Sequence, residues 1–161
     1  MTSGPDDQFS AFYEEHRADV FRTAFLITTD REEAHDLTQE TFARAYEHWR
    51  AVANHERPGA WLQTVVGRLA ISWRRRQTLR ARLADPMEAS VPEEPNEPAV
   101  LQVLRMLTAA QRAVVVLRFY QDRSVDEVGR LLGKRPGTVK ALTSQAMARM
   151  RPLLEAKGVR P

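Results

Sequence analysis

Three groups of polar residues in this chain have the types and spacing to do chemistry. Asp36, Gln39 and Glu40, in "REEAHDLTQETFARAYEHWRAV", stand at i, i+3 and i+4 and so share one helical edge. A carboxylate pair with an amide in fixed geometry suits docking on a basic surface; an ordinary solvated face is the competing reading. Arg68, Ser72, Arg75 and Arg82 recur at helical spacing downstream, with Arg74 and Arg76 flanking. Cations at that pitch follow phosphates. The third group lies in "KRPGTVKALTSQAMARM", Lys134 to Met150, which begins like the second helix of a helix-turn-helix. The positions that would face DNA there hold Leu142, Thr143, Ser144 and Gln145, with Lys140 as the one cation among them.

Catalytic readings are weak. "GRLLGK", Gly129 to Lys134, resembles a phosphate-binding loop but has three residues between its glycines instead of four. Arg135 stands where a metal-binding Ser or Thr belongs, and a helical pattern precedes it instead of a strand. No G-x-S-x-G occurs, and the histidines at 16, 35, 48 and 55 lack metal-ligand pairing. The absence of cysteine removes disulfides and thiolate metal sites. The chain is therefore read as no enzyme, with no catalytic residue, metal, cofactor or small-molecule substrate.

Helices must position the three groups. In "FSAFYEEHRADVFRTAFLI", Phe9, Phe12, Tyr13, His16, Val20, Phe21, Ala24 and Phe25 make one apolar face, with Ser10 as the expected cap. A second helix buries Leu37, Thr41, Phe42, Ala45, Tyr46 and Trp49 and leaves Asp36, Gln39, Glu40, Arg44 and Glu47 outside. "NHERPG" breaks the pattern, and a third helix follows from about Ala60 to Leu83. There Trp61, Leu62, Val65, Val66, Leu69 and Trp73 are expected to face inward. Four further helices are expected from Glu97 onward, the first over Glu97 to Leu107. Thr108 with Gln111 and Ser124 with Glu127 form two capping boxes, Gly133 ends a helix and Pro136 opens the last one.

Charge divides the chain into blocks. Residues 1–60 carry a net −6, residues 61–84 +6 with no acid at all, residues 85–100 −5 and residues 101–161 +8. Such segregation implies two basic surfaces for polyanions and an acidic one for a basic protein partner. "DPMEASVPEEPNEP", Asp85 to Pro98, holds four prolines and no cation, so it reads as a linker that burial cannot order. The fold class is all-α: two small helical domains, 1–84 and 99–161, joined by a flexible acidic linker, 85–98, the second domain containing a helix-turn-helix. The acidic start "MTSGPDDQFSAFYEEH" is no signal peptide, and "AVVVL" is far too short to span a bilayer. A soluble cytoplasmic protein without direct membrane insertion is expected.

Taken in series, three motifs resemble the extracytoplasmic-function (group 4) sigma factors of bacterial RNA polymerase, in the sigma-70 family. "AHDLTQETFARAYEHW" is similar to the family's core-binding helix. "AWLQTVVGRLAISWRRR" resembles the helix that melts and reads the minus-10 element, and "LTAAQRAVVVLRFYQDRSVDEVGRLLGKRPGTVK" the domain for the minus-35 element. The resemblance implies partners: core RNA polymerase, promoter DNA and the family's usual anti-sigma factor. It implies a polymerase contact through Asp36, Leu37, Gln39, Glu40 and Arg44, on the clamp helices of the largest subunit. It implies minus-10 contacts through Asn54, His55, Arg68, Ser72, Trp73, Arg74, Arg75 and Arg76. Asn54 and His55, in "VANHERPGA", are candidates to receive a base turned out of the duplex. Trp73 is read as core packing first and as a stacking surface for an unpaired base second. Minus-35 contacts are implied for Arg123, Lys134, Arg135, Thr138, Lys140, Ala141, Ser144, Gln145 and Arg149, with Arg130 and Arg151 adding charge at the rim.

Departures from the family pattern bear on specificity. Relatives commonly carry I-A-x-N and later an Asp after "WL"; Val65, Val66, Arg68 and Ser72 occupy those positions here. An Arg for an Asn replaces an adaptable amide with a charged fork. Leu142 and Gln145 replace two arginines of the usual last helix. Gln pairs bidentately with adenine, and Leu meets a thymine methyl. Two other readings stay open: a stand-alone helix-turn-helix regulator, and a sigma-like interaction protein without promoter activity.

Overall fold

The computed structural model describes residues 4–83 and 97–159, helical almost throughout, and packing divides the chain into two compact units, 1–70 and 71–161. The sequence placed the division at residue 85. Most of the expected linker, up to residue 96, lies outside the described residues.

Unit 1 is built on a helical hairpin. Helix α1 spans Pro5–Thr28 and α2 spans Arg31–Glu47. Thr29 closes α1 in the left-handed region, its N–H bonded to Phe25 O at 2.7 Å. Asp30 then accepts the Glu33 N–H and opens α2. A two-residue connection of this kind returns α2 along α1. Ser10, the expected cap, lies inside α1, because Pro5 and two acids start the helix earlier. Phe12, Val20, Ala24, Leu37, Phe42 and Ala45 are buried as the periodicity required. Tyr46 departs from it: it is 55% exposed, with its ring edge-on to Phe9. Buried Thr38 and Thr41 satisfy their hydroxyls on the carbonyls of Ala34 and Leu37.

The second expected helix breaks at His48, and a short α3, Trp49–Ala53, follows. Helix α4, Pro58–Leu83, starts at Pro58, two residues before the sequence placed it. Leu62, Val66 and Ala70 of α4 are sealed in unit 1, and Thr23 on α1 donates to Gln63 Oε1 at 2.6 Å.

Unit 2 contains the rest of α4 with α5 (Ala99–Met106), α6 (Ala109–Val115), α7 (Val125–Leu132) and α8 (Pro136–Ala156). Its core is Val103, Val114, Leu117, Val128, Val139 and Ala146. The Thr108–Gln111 capping box is complete, each residue bonding the other's backbone N–H. At the second box only Ser124 caps; the Glu127 carboxylate turns to Arg123 instead. Helix α6 runs on through a π-helical turn, Val116–Tyr120. Between α7 and α8 lies a three-residue turn. Gly133 takes φ +64°, and a Cβ on Gly129 would stand 2.7 Å from Lys134 O, so the turn closes on bare backbone.

Candidate nucleic-acid interface

On α2 the acidic edge is exposed. Asp36, Gln39, Glu40 and Arg44 all face outward. Arg44 Nε bonds Glu40 Oε1 at 2.9 Å, an i,i+4 pair with both side chains half in water. Leu37 does not share that surface: it is 6% exposed and packs inward, where it holds the edge in place. Beside the edge runs an open groove lined by Tyr13, Glu14, Arg17, Phe21, His35 and Thr38. The sequence gave no sign of it, because it lies between two helices whose residues are remote in order.

Asn54 and His55, adjacent in sequence, serve different surfaces. Asn54 donates from Nδ2 to Arg50 O at 2.8 Å and lines a depression with Glu47, His48 and Ala51. His55 lines a separate groove of about 360 Å³ with Glu56, Arg57, Trp61, Thr64 and Arg68. Its Nδ1 accepts the Arg57 backbone N–H at 2.9 Å, which in the neutral ring places the proton on Nε2. Trp61, expected in the core, is only partly covered and forms one wall of this groove. A flat aromatic face, a ring N–H donor and the exposed Arg68 fork therefore converge on one concave surface.

The basic run after Ser72 is not one uniform stripe. Ser72 and Arg76 are exposed. Trp73 is half-buried, and its indole N–H is enclosed without a partner among the described residues. Arg74 is also half-buried; burial first, and Arg75 second, push its guanidinium below the usual range. Arg75 donates from Nη2 to Leu132 O at 3.1 Å. The sequence gave no warning of the other charges nearby. Arg112 is pushed down to about 10 by burial, then by Arg105 and Arg74. Arg105 in turn grips the nearly buried Glu97 carboxylate at 2.7 Å. Glu97, assigned by sequence to the linker, is thus anchored in unit 2.

The helix-turn-helix presents a clean division of faces. Val139, Ala146 and Met150 of α8 are buried, whereas Arg135, Thr138, Lys140, Ala141, Ser144, Gln145 and Arg149 are exposed. Thr138, Ala141 and Gln145 fall at i, i+3 and i+7, one outward line at groove-reading pitch. Leu142 is half-buried between the faces, and Thr143 bonds Val139 O. Among the rim cations Arg130 and Arg151 are exposed, Lys134 is partly covered, and Arg123 is drawn to Glu127 at 3.4 Å. No group of three or more His, Asp or Glu among the described residues is arranged to hold a metal. Nor is any described helix long and apolar enough to cross a membrane.

Comparison with known proteins gives a consistent picture. Residues 12–80 match Sigma-70 region 2, and residues 98–150 match Sigma-70, region 4. The chain is 32% identical over 159 residues to the ECF RNA polymerase sigma factor SigL of Mycobacterium tuberculosis, covering 92% of this chain and 90% of that protein. It is 29% identical to the RNA polymerase sigma-E factor of Streptomyces avermitilis over 98% of this chain and 90% of the relative. SigX of Bacillus subtilis, another ECF sigma factor, is 25% identical over 93% and 85%. Among solved structures, the sigma factor RpoE of Bartonella quintana, in complex with the anti-sigma factor NepR, shares the fold. Its TM-score is 0.66 at 20% identity, over 92% of this chain and 97% of that one.

Proposed function

Because the chain belongs to the extracytoplasmic-function sigma factors of the sigma-70 family, which bind core RNA polymerase and direct promoter-specific transcription initiation, we propose how its own residues divide that work. The exposed edge of Asp36, Gln39, Glu40 and Arg44 docks on the polymerase, with Leu37 as its support from below. The groove of His55, Trp61 and Arg68 receives an unpaired base of the minus-10 element, against which Trp61 stacks and Arg68 and His55 donate. Arg75, Arg76 and Ser72 contact the adjoining backbone. Thr138, Ala141, Ser144 and Gln145 read the minus-35 element in the major groove, while Lys134, Arg135, Lys140 and Arg149 hold phosphates. The chain works in the cytoplasm as an initiation factor and not as an enzyme; phosphodiester chemistry belongs to the polymerase. An anti-sigma factor of the kind that holds the Bartonella protein is a further partner.

One observation supports the docking assignment: the acidic edge is exposed and rests on buried Leu37, Thr41 and Ala45, so it is presented on a packed helix without contributing to the core. The experiment is Asp36→Arg combined with Glu40→Arg. Helicity should survive, since both positions lie off the packed face. Binding to core polymerase should be lost, and run-off transcription with it. Normal binding by the folded variant would remove the edge from the polymerase interface.

A further inference from the structure

The groove at the start of α4 carries polar groups that sort one base from another. The choice of base rests on that groove receiving an unpaired minus-10 base at all, as proposed above. Trp61, Thr64 and Arg68 line it in order along α4, and His55 and Glu56 stand at the helix start. Between Trp61 and Arg68 the helix axis advances about 10 Å. A helical side chain leans toward the N-terminus of its helix. The Arg68 fork therefore leans back toward a base stacked on Trp61, and His55 and Glu56 meet that base from the other end.

The hydrogen-bonding groups differ at the two ends. Arg68 is exposed, and its guanidinium has no partner among the described residues. Thr64 spends its hydroxyl proton on Ala60 O at 3.1 Å and adds no donor. His55 offers a single donor, Nε2–H, because its Nδ1 accepts the Arg57 N–H. Glu56 brings a carboxylate to the lining, exposed and without an ion-pair partner among the described residues. A fork of donors thus faces a carboxylate across the ring of Trp61.

Unpaired bases sort on that pattern. Guanine sets two acceptors, O6 and N7, side by side, and an arginine fork takes both. Its neighbouring edge sets two donors, N1–H and the N2 amino group, side by side, and one carboxylate accepts both. Adenine places an amino group beside N7, so the fork would meet a donor and lose one bond. Cytosine offers the carboxylate only its N4 amino group, and thymine only its N3–H, each flanked by acceptors that a carboxylate repels. We propose that the groove selects guanine. Arg68 reads O6 and N7, Glu56 accepts from N1–H and the N2 amino group, His55 adds a donor to O6, and Trp61 stacks on the ring. Glu56 is thereby a specificity-determining residue alongside Arg68.

The test uses holoenzyme and promoter fragments whose minus-10 element is an unpaired bubble of randomised bases. The parent should select guanine at one position. Arg68→Asn should move the selection there to adenine, since an amide pairs with adenine N6 and N7. Two analogues at that position then probe the two edges: guanine with carbon in place of N7, and hypoxanthine, which lacks the N2 amino group. Each should cost the parent on the order of tenfold in bubble binding. The first should cost Arg68→Ala nothing further, and the second should cost Glu56→Gln nothing further. Trp61→Ala should weaken bubble binding whichever base stands there, with binding to core polymerase retained as the check that the variant folds. If Trp61→Ala binds core and bubble as the parent does, the groove takes no base, and the pocket falls together with guanine. If it weakens bubble binding but the parent selects another base, or the analogues cost parent and variants alike, the pocket stands and the guanine assignment is overturned.

Discussion

Gln145 and Lys140 lie on the same exposed side of α8 yet should act differently when removed. Gln145 ends the outward line of Thr138, Ala141 and Gln145, and its amide can pair bidentately with an adenine edge. Gln145→Ala should therefore change which bases are selected at one or two minus-35 positions, by roughly 1–3 kcal/mol. Lys140→Ala should weaken all promoters more evenly and reduce the salt slope, as a phosphate contact does. Selection of a randomised minus-35 library by holoenzyme carrying each variant separates the two effects; unchanged selected sequences with Gln145→Ala would end its role as a reader. At this scale the sequence was most legible where periodicity decides exposure. The exposure of Asp36, Glu40 and Gln145 followed from the buried residues three and four positions away. It was least legible in turns. Asn54 and His55 are neighbours in the chain, but Asn54 closes back on Arg50 O while His55 is held by the Arg57 N–H. Their side chains consequently line different surfaces. Trp61 fell on the apolar spacing, but spacing alone does not say whether a large ring is sealed or forms the wall of a groove.

The elements themselves were read well from local chemistry. Thr108 with Gln111, Gly133 and Pro136 mark helix ends by satisfying or removing the backbone groups that a helix leaves over, and such signals need no tertiary context. The exceptions were ends where another partner competed. Glu127 had Arg123 beside it and left the box half formed. Ser10 lost to the earlier start at Pro5. What periodicity did not reveal is how tightly α7 and α8 approach each other at their turn. Gly129 makes the point: a Cβ there would meet the Lys134 carbonyl at 2.7 Å, and that atom is backbone. The same turn is held by the Lys134 N–H on Gly129 O at 2.9 Å. Gly129→Ala should therefore push α8 away from α7 and destabilise unit 2 by about 1–3 kcal/mol, as overpacking does. Thermal unfolding should show the loss. Unchanged stability would mean that the turn can yield by several tenths of an ångström without cost.

Across the whole molecule, charge segregation was the clearest message of the sequence: −6 in the first 60 residues, +6 over residues 61–84 and +8 after residue 100, which under the proposed division of work serve a protein surface and two DNA surfaces. What it left unresolved was the boundary between units. Blocks of charge describe surfaces, whereas Ile71, Trp73 and Arg74 are placed with residues 71–161 by packing. Charge also dictates how the free chain should bind DNA. Lys140 is the exposed cation beside the reading line of α8, and the other exposed cations, Arg130, Arg135, Arg149 and Arg151, flank that line or lie on α7. Their attraction works through counterion release and so falls steeply with salt. Free chain should bind promoter duplex weakly, with a steep negative slope of log affinity against log salt. Holoenzyme should bind the same duplex far more tightly. Under the proposed docking through α2, core polymerase would bring both basic regions to one template, where effective concentration replaces intrinsic affinity. Titrating a labelled promoter fragment over a range of salt, with free chain and with holoenzyme, measures both slopes. If the free chain matched the holoenzyme at physiological salt, α8 would supply the affinity alone and the polymerase would add nothing to promoter binding.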